Sequence, residues 1–162
     1  MEMRHDMAKE AATLVARALQ DCPSSGKLWA LSIDMEDKRH KKGKSVDALK
    51  KCDNDAYVML AVAKLFASER KIEKARSWFN RTVTLEADLG DAWAHYYEFE
   101  LKHGNEERQK EVIRRCVQAE PQSGEQWKKV VKDPEIAKHN PPVDKILLHV
   151  KGIISKMQGV ML

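Results

Sequence analysis

The chain has 162 residues, enough for one domain with its own core or for a short stack of repeats. Gly (7) and Pro (5) are scarce, charged residues make up 33% and aromatics 6%, a composition that favours helix because Ala, Leu, Lys and Glu lose little side-chain freedom there. A net charge of +4 falls short of the large, clustered basic excess of a dedicated nucleic-acid binder; it permits an RNA contact without demanding one.

In chain order, Arg4 to Cys22 reads as the second helix of a repeat whose first helix is missing, so the chain is expected to be cut from a longer array. Its start is polar, with no apolar h-region, and the longest apolar run, Ala56 to Ala63, is too short to cross a bilayer. The cysteines, Cys22, Cys52 and Cys116, form no CxxC pair, which suits a reducing compartment. A soluble intracellular protein is expected. Pro23 and Gly26 mark a turn, and Trp29, Ser32, Ile33 and Glu36 share a helical face. The basic run Lys38-Arg-His-Lys-Lys-Gly-Lys44 falls between the two helices of the second unit, where an inter-helix loop is expected. Ala75, Trp78, Phe79, Thr82 and Val83 form a stripe that Ala11, Leu14, Val15, Ala18 and Leu19 match position for position. Trp93, Tyr96, Tyr97 and Glu100 make the next face, followed by Gln109, Val112, Ile113, Cys116 and Val117. After Asn140-Pro-Pro142, the residues Val143, Ile146, Leu147, Val150, Ile153, Ile154 and Met157 give the cleanest amphipathic helix in the chain.

These elements repeat. The segments Arg17–Trp29, Arg81–Trp93 and Arg115–Trp127 align without gaps, each with Gly three residues before the Trp. A fourth copy, Asp47–Tyr57, is two residues shorter and carries Asp for Arg and Tyr for Trp. The aromatic markers Trp29, Tyr57, Trp93 and Trp127 are 28, 36 and 34 residues apart, close to the period of a two-helix repeat. Gly26, Gly90 and Gly124 are expected to supply positive φ at the turns. Such a hairpin cannot bury both apolar faces alone, so stacking is required. The fold expected is an all-α, right-handed α-solenoid of antiparallel helix pairs. Residues 1–22 are a truncated half-repeat and 23–134 the repeats. Residues 135–162 are a linker and an amphipathic helix, which reads as a cap over the last repeat or as a helix for a partner's groove.

Trp93-Ala-His-Tyr-Tyr-Glu-Phe-Glu100 and Ala75-Arg-Ser-Trp-Phe-Asn-Arg-Thr82 resemble the two helices of the HAT (half-a-TPR) repeat. The further run of Lys44–Cys52, Ala61–Phe66, Lys74–Arg76, Asp88–Trp93, Phe99–Leu101 and Ala119–Pro121 is similar to the C-terminal repeats of the pre-mRNA-processing factor six family. The likeness covers roughly Leu14 to Asp133; Asp47 and Lys64 depart from the repeat pattern. The resemblance implies a nuclear, non-catalytic scaffold in mRNA splicing that holds spliceosomal tri-snRNP proteins together, with no cofactor, membrane or small-molecule substrate.

Repeat packing is assigned to the four aromatic markers and to Glu36 and Glu100, which are expected to pair with Arg17, Arg81 and Arg115. By similarity to TPR-like arrays, whose first helices line the concave face, the partner-binding positions are Lys27, Asp34, Asp91, Glu98, Glu125, Lys128 and Lys132. Each is otherwise an ordinary solvated charge. Lys38, Arg39, Lys41, Lys42 and Lys44 read either as solvated charge or as a weak snRNA or acidic-protein contact. No HExxH, HxxxH, GxxxxGK[ST], GxGxxG or GxSxG occurs, so neither a metal site nor an enzyme is expected. The alternatives to a scaffold are an RNA-binding solenoid and a generic peptide-binding adaptor.

Overall fold

The computed structural model describes residues 2–160. Among them are ten α-helices and no strand. They are α1 (Glu2–Asp21), α2 (Gly26–Met35), α3 (Lys38–Lys51), α4 (Ala56–Ser68), α5 (Ile72–Leu85), α6 (Gly90–His103), α7 (Glu106–Ala119), α8 (Glu125–Lys132), α9 (Pro134–Ala137) and α10 (Val143–Val160). The expected all-α class of repeated helix pairs is what forms. The chain divides into two compact units, Met1–Trp78 and Phe79–Leu162, and the division falls inside α5.

In the first unit the connections are short: only Glu36 and Asp37 separate α2 from α3. Short links make neighbouring helices antiparallel. Helix α2 packs on α1, α3 and α4, and α3 packs on α4. The core joins Ile33, Ala48, Cys52, Val58, Ala61 and Val62, with Trp29, Leu49 and Phe66 at its edge. Helix α4 starts where the Asp55 carboxylate accepts from the backbone N–H groups of Tyr57 and Val58 at 2.9 and 3.2 Å. Every residue from Val58 to Ala63 is buried, so this apolar stretch of α4 turns no face to solvent. No described helix is long and apolar enough to cross a membrane.

In the second unit α6 packs on α7, α8 and α10. The Phe79 ring lies 5.6 Å from Tyr96 and 5.1 Å from Phe99. Asn105 caps α7, accepting from the Arg108 N–H at 2.9 Å. The segments leading into α6 and α8 are joined by their backbones. The Gly90 N–H donates to the Ser123 carbonyl (2.9 Å), and the Ser123 N–H donates to that of Asp88 (3.0 Å). The Asp88 carboxylate takes the Ser123 hydroxyl and the Gln122 N–H. Helix α10 caps the unit: Leu147, Val150 and Ile154 are buried, and the helix packs on α6, α7 and α8.

Three details differ from the expectation. The basic run Lys38–Lys44 is the first half of α3 and not a loop. Lys and Arg are good helix formers, and Ser45 and Ala48 bury one face of the same helix, so the charge is carried on a helix. The turns do not rely on glycine for positive φ. Of the three repeat glycines only Gly124 (φ 110°) has it; Asn54, Arg70, Glu120 and Asn140 take the left-handed conformation instead. Gly26 and Gly90 open helices at points of close approach. A Cβ at Gly26 would run into the Asp55 carboxylate, and one at Gly90 into the Trp127 ring. The linker contains a short helix, α9, with Pro134 in its first turn and the Asp133 carboxylate accepting from the Glu135 N–H at 3.0 Å.

The Trp127 ring is buried and cannot swing aside, so Gly90→Ala is expected to lower stability by about 1–3 kcal/mol through overpacking. Gly43 sits in α3 with nothing near its missing Cβ. Gly43→Ala is expected to raise stability by about 0.5–1 kcal/mol through the unfolded chain. Urea denaturation followed by circular dichroism distinguishes the two signs.

Candidate interaction surfaces

Two of the four repeat aromatics are held by the same bond. The indole N–H of Trp29 donates to the Pro23 carbonyl at 2.8 Å, and that of Trp93 to the Ala87 carbonyl at 2.8 Å, each six residues earlier. The bond ties the first turn of a helix to the segment that enters it. Trp93 and Trp127 are buried, whereas Trp29 and Tyr57 are half-buried. Tyr57 carries the Lys27 ammonium 5.1 Å above its ring. The Arg115 guanidinium lies 5.4 Å over the Trp93 ring and donates to the Asn80 side-chain oxygen at 2.8 Å.

That arrangement corrects the expected Glu–Arg pairing at two positions. Arg115 uses its charge on an aromatic face and an amide. Glu36 pairs with Lys44 at 2.8 Å, eight residues on in α3. Glu100 is buried on α6, and its backbone carbonyl accepts from the Gln109 side chain at 3.2 Å. Arg17 and Arg81 are exposed. Lys64, which breaks the repeat pattern, reaches Asp34 at 3.4 Å within the first unit.

The seven expected partner-binding positions separate into two groups. Four serve the fold. Lys27 covers Tyr57 and Asp34 meets Lys64. Asp91 caps α8, accepting from the N–H groups of Gln126 (3.0 Å) and Trp127 (2.8 Å). Burial raises the Asp91 carboxyl above its ordinary value, and those two donors offset part of the effect. Glu98 is not exposed at all: it is 4% accessible and pairs with Lys102 at 2.9 Å, one turn along α6. The other three, Glu125, Lys128 and Lys132, are exposed and line an open cleft of about 550 Å³ on α8 together with Lys129 and Asp133. It is of mixed sign and part of the second unit.

On α3, Lys38, Arg39 and Lys42 are exposed, Lys41 is half-buried and Lys44 is tied to Glu36. His40 lies 3.8 Å from Asp37 and 4.0 Å from Glu36, so these three groups come together at the start of the helix. The Lys44 ammonium already answers the Glu36 charge there, and the cluster is an exposed ion-pair network. The thiols belong to packing: Cys52 and Cys116 are buried, and burial pushes Cys116 up to about 12.

Comparisons with known proteins place these repeats. The chain is 60% identical over 111 residues to pre-mRNA-processing factor 6 of Homo sapiens, a match covering 68% of this chain and 12% of that protein. It is a pre-mRNA-processing factor 6-like segment. Protein STABILIZED1 of Arabidopsis thaliana is 50% identical over 119 residues (74% of this chain, 11% of that protein). Pre-mRNA-splicing factor prp1 of Schizosaccharomyces pombe is 37% identical over 141 residues (87% and 16%). No protein-family model matches. The chain thus spans about an eighth or less of the length of its human and Arabidopsis relatives.

One surface of this pre-mRNA-processing factor 6-like segment escaped the sequence reading. A groove between α8, α9 and α10 is lined by Val130, Ile136, Leu148 and Ile153 among others. The available signal was the width of the α10 apolar band, which includes more residues than one buried face can take.

The Lys44 ammonium hydrogen-bonded to Glu36 holds that carboxyl below the ordinary glutamate value. A depressed folded value means that the pair stabilises the fold above the unfolded glutamate range and that the contribution is lost as pH falls through the folded value. In a carboxyl-carbon NMR titration, Lys44→Met is expected to move the Glu36 midpoint upward; an unmoved midpoint would assign the effect to the backbone instead.

Proposed function

We propose that this segment is a non-catalytic protein-interaction scaffold in pre-mRNA splicing that helps to hold spliceosomal tri-snRNP proteins together in the nucleus. The observation that carries the reading is the 60% identity to pre-mRNA-processing factor 6 over 111 residues. The chemistry agrees. The charged positions of the first helices are largely used to fix one repeat against the next, which leaves a cleft of mixed sign on α8 and, beside α10, an apolar groove with lysines at its rim. Such grooves suit irregular protein segments better than a polyanion.

A second reading, weak binding of snRNA, draws on α3, where Lys38, Arg39 and Lys42 are exposed on one helix. No aromatic side chain lies in that run for stacking, so any such contact is to phosphate and insensitive to sequence.

One assay separates the readings. The purified chain is used as bait in nuclear extract treated with nuclease, and retained proteins are identified by mass spectrometry. Recovery of tri-snRNP proteins that survives nuclease is expected; recovery lost with the RNA would overturn the scaffold. Replacing Lys41 and Lys42 by Glu is expected to leave protein recovery unchanged and to reduce retention of snRNA at physiological salt. Undiminished snRNA retention would remove α3 from the RNA reading.

A further inference from the structure

The two sides of α10 meet different surroundings. Leu147, Val150 and Ile154 are buried in the second unit, whereas the neighbouring Leu148 is 43% exposed. One turn on, Gly152 leaves the helix backbone bare, and a side chain built there meets nothing within 4 Å. Leu148, Gly152 and Ile153, with Val130 of α8 and Ile136 of α9, floor a groove of about 400 Å³. The whole groove lies within Phe79–Leu162.

Its rim carries two lysines, Lys129 from α8 and Lys156 from α10, and His149 of α10 also lines it. Asp133 is the one acid on the rim, and its carboxylate is already engaged by the Glu135 N–H at the start of α9. Lys129 leans on Glu125 at 3.6 Å, an exposed pair that gives way easily to a better partner.

An aliphatic floor inside a positive rim selects for apolar anchors flanked by carboxylates. Among the described residues no Phe, Tyr or Trp lines it, so a nucleobase has only the small His149 ring to stack on. We infer that the groove docks a short acidic, amphipathic segment of a partner protein, with one large apolar side chain seated over Gly152. The inference rests on the scaffold reading and gives it a site and a partner chemistry.

The probe is a display library of random peptides, about a dozen residues long, selected on the chain and remeasured by fluorescence anisotropy. Enriched peptides are expected to carry Leu, Ile, Phe or Trp beside Asp or Glu, and to bind more weakly as salt rises. Gly152→Trp fills the groove from a position with no neighbour and is expected to weaken binding about tenfold or more. Reversing the rim with Lys129→Glu and Lys156→Glu is expected to weaken it several-fold. Should Gly152→Trp lower the Tm, Leu148→Glu on an exposed side chain takes its place. Peptides without acidic bias, or peptides that bind the filled variant as well as the original, overturn the inference. So does dimerisation of the chain through this groove, or an RNA oligonucleotide that competes for it with the selected peptides. If no peptide is selected while Gly152→Trp retains tri-snRNP proteins at the original level, the groove fails and the scaffold stands. Loss of nuclease-resistant recovery by the unmodified chain removes the scaffold itself.

Discussion

The buried contact of Trp127 with the bare backbone of Gly90 sets how closely α8 can approach α6. Most of what organises the second unit follows from that closeness. It brings the segments before the two helices within backbone hydrogen-bonding distance, Gly90 to Ser123 and Ser123 to Asp88. It places the Asp91 carboxylate under the first free N–H groups of α8, where a helix start lacks partners of its own. Trp93, two residues after Asp91, is pinned by its N–H to Ala87 and covered by Arg115. A ring that is hydrogen-bonded at its edge and stacked on its face has one orientation, and a stack of hairpins needs such fixed points to have a defined pitch.

The same logic decides which charges are free to meet a partner. In a repeat with period near 34, a residue just before the aromatic marker faces the start of the next repeat. Lys27 reaches the Tyr57 ring and Asp91 reaches the Trp127 N–H, so positions of one register do equivalent work with opposite charge. Burial drives the rest: Glu98, which lies beside buried Tyr97 and Phe99, cannot present its carboxylate outward and draws Lys102 onto it. The open clefts of the second unit lie elsewhere, at α8 and the flank of α10.

The register of the repeats was legible because it is periodic. Trp, Gly and the apolar stripes recur at fixed offsets, and the helices fall where those offsets put them. Pairing across helices was not, because a Glu with several cations in reach chooses by rotamer and distance. Glu36 finds Lys44 eight residues on, in the next helix, and Arg115 finds an aromatic face. The basic run misled through its charge density. Seven residues from Lys38 to Lys44 look like a solvated loop until Ser45 and Ala48 are seen to carry the buried face of the same helix. The glycines were located correctly but for another reason: what Gly90 supplies is the absence of a Cβ, which only the position of Trp127 reveals.

Helix α10 shows why an amphipathic pattern alone leaves cap and docking helix unresolved. Its apolar residues span more of the helix circumference than the unit beneath can cover. Leu147, Val150 and Ile154, at i, i+3 and i+7, are buried where α10 packs on α6, α7 and α8. Leu148 and Met157 remain outside, and Ile153 lies at the border. An exposed apolar edge beside a buried one costs solubility, and the surrounding lysines keep it hydrated while it has no partner. Packing on the unit and lining a groove are then compatible in one helix. The helix that closes the core also forms one wall of a groove, and because its buried side fixes its position, that wall is rigid before anything binds to it.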